Sequence, residues 1–260
     1  MNPNEALAKL RADVPLVHCI TNYVAMNIAA NVVLAAGASP AMIHAEEEVA
    51  DFVPIAGALT INIGTLSAPW LRGMLKAAQT AKAKQKPWVL DPVAHFATPY
   101  RAQATRSLLA CKPTIIRANA SEILALAGEM GAGKGVDSGD SVETAKQAAT
   151  HLSETHGCVV AVTGETDFVT DGSRSATISG GSAMMPQVTA LGCSLTALVG
   201  AYAALDAPLD GTVAALLHFA EAGERAHASA SGPGSFATHF LDQLNALQPG
   251  MLDEGRIAWS

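Results

Sequence analysis

Short, continuous apolar runs alternate with longer alanine-rich segments through most of this chain, and few architectures accept that order. Runs at 16–20, 41–43, 59–63, 88–90, 115–116, 159–162 and 168–170 predict strands. Segments 24–36, 45–58, 68–85, 100–110, 121–127 and 141–155 predict the helices between them, with Pro54 and Pro69 blurring two of those boundaries. Strands that are apolar throughout, rather than at every second residue, are those covered on both faces. The expected fold is therefore α/β, with a mainly parallel central sheet and helices on both faces. Beyond about Thr189 the pattern turns helical, at 194–205, 212–230 and 236–247, and the tail after Gln248 reads as irregular. Residues 1–13 read as a short amphipathic helix, not a signal peptide.

With 260 residues, half of them apolar and 15% charged, the chain suits one large domain over 1–260. Runs such as 32–38 and 159–162 are too short to cross a membrane. The net charge of −7 comes without a basic cluster, so neither nucleic acid nor membrane is an expected partner. Cys19, Cys111, Cys158 and Cys193 form no C-x-x-C pair, which argues against a zinc site or a redox dithiol and fits a reducing cytoplasm. The first three read as buried small hydrophobes. The glycine-rich stretch 128–139 is the most flexible-looking internal segment.

Ligands of open parallel sheets bind beyond the C-terminal strand ends. Five predicted ends carry small, polar or charged groups: Thr21-Asn22, Asn62-Ile63-Gly64-Thr65, Asp91-Pro92-Val93, Arg117-Ala118-Asn119 and Thr163-Gly164-Glu165. Taken singly, each fits an ordinary strand-to-helix cap. Together they point to one convergent site.

Thr189-Ala190-Leu191-Gly192-Cys193-Ser194 places a glycine-containing turn before a helix. Free N–H groups there make an anion site suited to a phosphoryl group in flight; a plain helix start with Ser194 as cap is the other reading. Asn119 and Glu122 share a helix face, as a helix cap or as part of a magnesium site with Asp91. Arg117 suits bidentate phosphate contact, or an ion pair. Gly164, beside Thr163, lets a nucleotide approach the backbone, or simply turns the chain. His18, His44 and His95 have no ligand spacing. G-x-S-x-G, G-x-G-x-x-G and Walker A sequences are absent.

Across nearly its whole length the chain resembles the hydroxyethylthiazole kinases, thiamin-salvage enzymes of the ribokinase-like superfamily. The blocks that carry the resemblance are Thr21-Asn22-Tyr23-Val24, Gly37-Ala38-Ser39-Pro40-Ala41-Met42, Asn62-Ile63-Gly64-Thr65, Leu90-Asp91-Pro92-Val93, Ile116-Arg117-Ala118-Asn119-Ala120-Ser121-Glu122 and Val162-Thr163-Gly164-Glu165. It implies a ribokinase-like three-layer sandwich and transfer of phosphate from ATP, with Mg²⁺, to the primary alcohol of 4-methyl-5-(2-hydroxyethyl)thiazole. By position, Met42, Ala190, Asn22 and Gly64 would meet the thiazole; Arg117, Thr163, Asn119 and Gly164 would meet ATP; Glu122 and Asp91 would serve the metal. Cys193, with Gly192 beside it, stands where related sugar kinases carry an aspartate base. A thiol there positions the alcohol or accepts its proton weakly, at a helix end where thiolate is favoured. The resemblance also implies a cytoplasmic homotrimer with thiazole sites at subunit contacts. Two departures stand out: Ala190-Leu191 where the family reads Gly followed by Thr or Ala, and His95-Phe96 where it carries small residues. A hydroxymethylpyrimidine-type kinase, a nucleotide-repair enzyme and a weakly catalytic nucleotide-binding oligomer are the alternatives.

Overall fold

The computed structural model describes residues 1–128 and 142–260, so most of the glycine-rich stretch lies outside the described residues. In chain order the main elements are α1 (Pro3–Asp13), β1 (Leu16–Ile20), α2 (Met26–Ala36), β2 (Ser39–Ala41), α3 (Val49–Phe52), β3 (Ala58–Asn62), α4 (Ala68–Ala83), β4 (Trp88–Asp91), α5 (Pro99–Leu109), β5 (Ile115–Asn119), α6 (Ala120–Leu126) and α7 (Val142–His156). Then follow β6 (Val159–Thr163), β7 (Thr166–Thr170), β8 (Ser175–Ser179), α8 (Leu191–Ala203), α9 (Pro208–Ser229), α10 (Pro233–Ala246) and β9 (Ile257–Trp259).

Among the described residues these strands form one sheet in the order β2-β1-β3-β4-β5-β6-β7-β8-β9. Pairing is parallel from β2 to β6 and antiparallel from β6 to β9. Side chains alternate across the sheet with the period of two that strands impose. Val17, Cys19, Val89, Ile115, Val159 and Ala161 enter a core shared with α1, α2, α8, α9 and α10. Ile20, Leu59, Ile61, Trp88 and Leu90 enter one shared with α3, α4 and α5, and Ile116, Ala118, Val160 and Val162 one shared with α6 and α7. This is the expected three-layer sandwich.

Several boundaries move for identifiable reasons. The helix expected over 45–58 shrinks to α3 and a 3₁₀ turn at Val53–Ile55, because Pro54 cannot donate to a helical ladder. Pro69 does no such harm: it sits in the first turn of α4, capped by Ser67, where no partner for its nitrogen is needed. The tail read as irregular supplies β9, which pairs with β8, a strand too mixed in polarity to show in the sequence. The C-terminal part is thus not all-helical.

What seats the site is α8, buried on almost every side. Gly200 lets it approach β3 closely, since a Cβ there would collide with the Thr60 methyl group. Burying each of its large side chains, Leu195, Leu198 and Val199, contributes about 1.5–3 kcal/mol. The helix N-terminus is thereby held over the ends of β3 to β5.

Candidate active site

Asn62 and Asp91 are the last residues of β3 and β4 and lie opposite each other in register. Asp91 is fully buried. Its Oδ2 accepts hydrogen bonds from Asn62 Nδ2 and from Thr196 Oγ1 of α8, both at 2.6 Å. The Arg117 guanidinium stands 3.5 Å away, and Oδ1 has no partner among the described residues. Burial raises the Asp91 pKa, opposed first by Arg117, then by Thr196 and Asn62.

The network runs outward from there. Asn62 Oδ1 accepts from Asn22 Nδ2 at 2.8 Å and from the Gly64 N–H at 2.9 Å. Asn22 Nδ2 also donates to Cys193 Sγ at 3.4 Å. Asn22 is held in turn by its Oδ1, which accepts the N–H groups of Val24 and Ala25 at 3.1 and 3.0 Å. A Cβ on Gly64 would lie 2.6 Å from Asn22 Nδ2, so only glycine leaves that amide its place.

On the β5 side, Arg117 donates to Thr163 Oγ1 at 2.6 Å. The guanidinium is largely buried, so the surface ion pair that sequence allowed is not what forms. Asn119 and Glu122 make a capping box: Asn119 Oδ1 accepts the Glu122 N–H at 2.9 Å, and Glu122 Oε2 accepts the Asn119 N–H at 3.0 Å. Glu122 reaches further, accepting the Ala94 N–H at 2.9 Å, with Ala94 at φ 48° just past β4. Burial, then the charge of Asp91, raises the Glu122 pKa. Gly164 is exposed beyond β6, and its N–H donates to Asp167 Oδ1 at 2.9 Å.

α8 begins at Leu191, not Ser194. Ser194 is no cap: its N–H already donates to the Ala190 carbonyl at 2.9 Å, the first bond of the helix. Ala190 caps in the left-handed region at φ 60°, a conformation that a glycine adopts more easily. Leu191 turns into the core, 2% exposed, so its bulk does not narrow the rim. The Leu191 N–H goes to the Val188 carbonyl. Those of Gly192 and Cys193 meet no partner among the described residues, which leaves two donors at the positive end of a buried helix. Arg117 approaches the same turn, at 3.5 Å from where a Gly192 Cβ would lie.

One sequence expectation is corrected here. Thiolate is not favoured at Cys193: burial raises its pKa, the charge of Asp91 adds to that, and Arg117, Asn62 and Asn22 oppose it less. Cys19, Cys111 and Cys158 are buried as expected. His18 is a core residue, its Nε2 2.6 Å from the Ile43 carbonyl oxygen, and His44 stacks on Trp70.

The structure thus brings Asn22, Gly64, Asp91, Arg117, Thr163, Gly192 and Cys193 together through these contacts, with Glu122 and Asn119 alongside. Met42 stands apart from the polar network, half-buried one residue past β2 and packed on the core shared with α2 and α8. Asn62, Thr196 and Asp167 were missed as site residues. Asn62 lay in a recognised block, whereas nothing local marks Thr196. Two surface hollows of about 430 and 340 Å³ lie at the opposite end of the strands, around Lys82 and Lys112, and hold none of these groups.

The model of the hydroxyethylthiazole kinase family matches residues 7–250. A hydroxyethylthiazole kinase of Roseobacter denitrificans is 64% identical, over 96% of this chain and 97% of its own length. One from Rhizobium rhizogenes is 62% identical, over 98% and 96%. The solved structure of a hydroxyethylthiazole kinase protein from Pyrococcus horikoshii superposes with a TM-score of 0.92 at 39% identity, covering 99% of this chain and 98% of that one. A ribokinase-like superfamily protein from Enterococcus faecalis, 10% identical with a TM-score of 0.67 and 95% coverage of both chains, shares the fold.

Proposed function

This chain belongs to the hydroxyethylthiazole kinase family, and we propose that its site phosphorylates the primary alcohol of 4-methyl-5-(2-hydroxyethyl)thiazole with ATP, in thiamin salvage. The observation that carries this reading is the meeting of two element sets. The free N–H groups of Gly192 and Cys193, with Arg117, form an anion-binding corner; the Asn22–Cys193 pair beside it offers a small polar seat for an alcohol.

Phosphoryl transfer depends mainly on positioning and on stabilising charge that spreads over the transferred oxygens. The helix N-terminus and the Arg117 guanidinium meet that charge, in a setting where burial strengthens each interaction. Thr163 fixes Arg117, and Thr163, Gly164 and Asn119 border the nucleotide. Asn22, Gly64, Met42 and Ala190 border the thiazole. Cys193, protonated at neutral pH, orients the alcohol and is not a strong base.

A divalent cation fits the donors present. Asp91 Oδ1 is buried without a partner among the described residues, and Glu122 feels the Asp91 charge. No group of three or more His, Cys, Asp or Glu side chains among the described residues could hold a metal. That suits Mg²⁺, which keeps its waters and takes one or two carboxylates plus phosphate oxygens. Asp91 and Glu122 would hold it, and the ion would neutralise phosphate charge. The cytoplasmic setting is supported by four free cysteines, and among the described residues no helix is long and apolar enough to cross a membrane. A subunit contact beside the site is supported by Tyr23 and Val24, 65% and 58% exposed next to Asn22, and the number three is what the family resemblance implies.

Incubation with Mg·ATP and the thiazole alcohol, with mass detection of the phosphate ester, tests the reading. Ester is expected; its absence from correctly folded protein overturns it.

A further inference from the structure

β3 and β4 stop pairing just where the site opens. The last ladder bond runs from the Ile63 N–H to the Asp91 carbonyl at 3.3 Å. Beyond it the loops after the two strands separate, and the carbonyls of Ile63, Gly64 and Val93 lose the neighbours that a continuing sheet would provide. Buried or half-buried carbonyls need donors.

One side chain supplies all three. Arg101, in the first turn of α5, donates from one terminal nitrogen to the carbonyls of Ile63 and Val93, both at 2.9 Å. Its other terminal nitrogen donates to the Gly64 carbonyl. Its own backbone is anchored by the α5 cap, where Thr98 Oγ1 accepts the Arg101 N–H at 3.3 Å. A planar fork of N–H groups serves several acceptors in fixed directions, which a lysine ammonium does not.

Both tied loops carry site groups. Gly64 abuts Asn22 and donates to Asn62. Val93 precedes Ala94, whose N–H holds Glu122. We infer that Arg101 is a positioning residue for the acceptor half of the site: it locks the loop after β3 to the loop after β4, so that Gly64 and Asn22 keep their place relative to Asp91 and Glu122. The Arg101 guanidinium donates to the backbone carbonyls of Ile63, Val93 and Gly64, so it acts through the backbone of the two loops. The inference rests on the functional reading above for its kinetic consequence, but not for its structural one.

Two readouts test it. The first is hydrogen exchange of the backbone over 62–66 and 92–97 in the substrate-free protein, wild type against Arg101→Ala and Arg101→Lys. Faster exchange in both loops, with the rest of the sheet unchanged, is expected. The second is kinetic: Arg101→Ala should raise KM for the thiazole alcohol roughly tenfold or more, as expected for slight misplacement of positioning groups. KM for ATP should move less than about twofold, and added methylguanidine should restore part of the loss. Should Arg101→Ala not fold, Arg101→Lys decides, with faster exchange in the same loops and a smaller rise in the thiazole KM. Wild-type exchange at both loops in either folded variant, or an equal rise in both KM values, overturns the inference. A wild-type protein inactive on the thiazole alcohol would sink the functional reading instead, and the exchange measurement would still judge Arg101.

Discussion

The side-chain amide of Asn22 donates to the sulfur of Cys193 at 3.4 Å. That sulfur is an acceptor held at a fixed point; burial and the Asp91 charge make its proton hard to remove, and the Asn22 bond offsets them only in part.

Cys193 should therefore react slowly with iodoacetamide at neutral pH. Its pKa lies above the ordinary thiol value, so the thiolate fraction is smaller than in a free cysteine, and the alkylation rate should climb only at distinctly alkaline pH. The rate measured against pH, with glutathione as reference, checks this. Cys193→Asp should retain or raise turnover, because a carboxylate is the better proton acceptor; steady-state kinetics of the folded variant decide that.

Gly64→Ala should displace the Asn22 amide. The added Cβ would sit 2.6–2.8 Å from three Asn22 side-chain atoms, and Asn22 is pinned on its other side by its bonds to Val24 and Ala25. A drop of about tenfold or more in kcat/KM for the thiazole alcohol is expected, equivalent to at least ~1.4 kcal/mol of lost transition-state binding. The nucleotide side should hold, with KM for ATP close to wild type.

Glu122→Ala should act twice. Losing the capping box at α6 costs about 1 kcal/mol of stability, visible in thermal denaturation. Losing the carboxylate should shift the Mg²⁺ titration of activity to higher concentration. A variant with lowered stability and an unchanged metal titration would leave Glu122 as a helix cap alone.

Asp167→Asn tests a half-buried carboxylate in β7, beside Gly164 on the side proposed for the nucleotide. Burial raises the Asp167 pKa from 3.8 to about 6, against the Gly164 N–H and Arg117, which pull it down. A carboxyl raised on folding is favoured when protonated, so its penalty appears as pH rises through that window and is complete above it. At pH 7 the asparagine variant should melt higher than wild type, since the amide oxygen can still accept the Gly164 N–H. The gap should narrow towards pH 4. A gap that does not vary with pH would contradict this assignment.

The α/β class, the two helical layers and the mainly parallel sheet were legible in the chain itself, because hydrophobic periodicity is local and survives without tertiary context. So were five strand ends carrying small, polar or charged groups, and the family they resemble. Local signals failed where competing forces were non-local. The mixed polarity of β8 and the plain tail at β9 become strands only by pairing with each other at the sheet edge. Ser194 looked like a cap, but burial of Leu191 starts the helix three residues earlier. Thr196 and Arg101 carry no motif at all; they matter because packing carries one onto Asp91 and the other onto the loops after β3 and β4. Residue types and their order set which chemistry is possible, since donors, acceptors and charges are properties of side chains. Which of them meet depends on contacts between residues as distant as Asp91 and Thr196, 105 positions apart, and on burial that turns an ordinary thiol into a reluctant one.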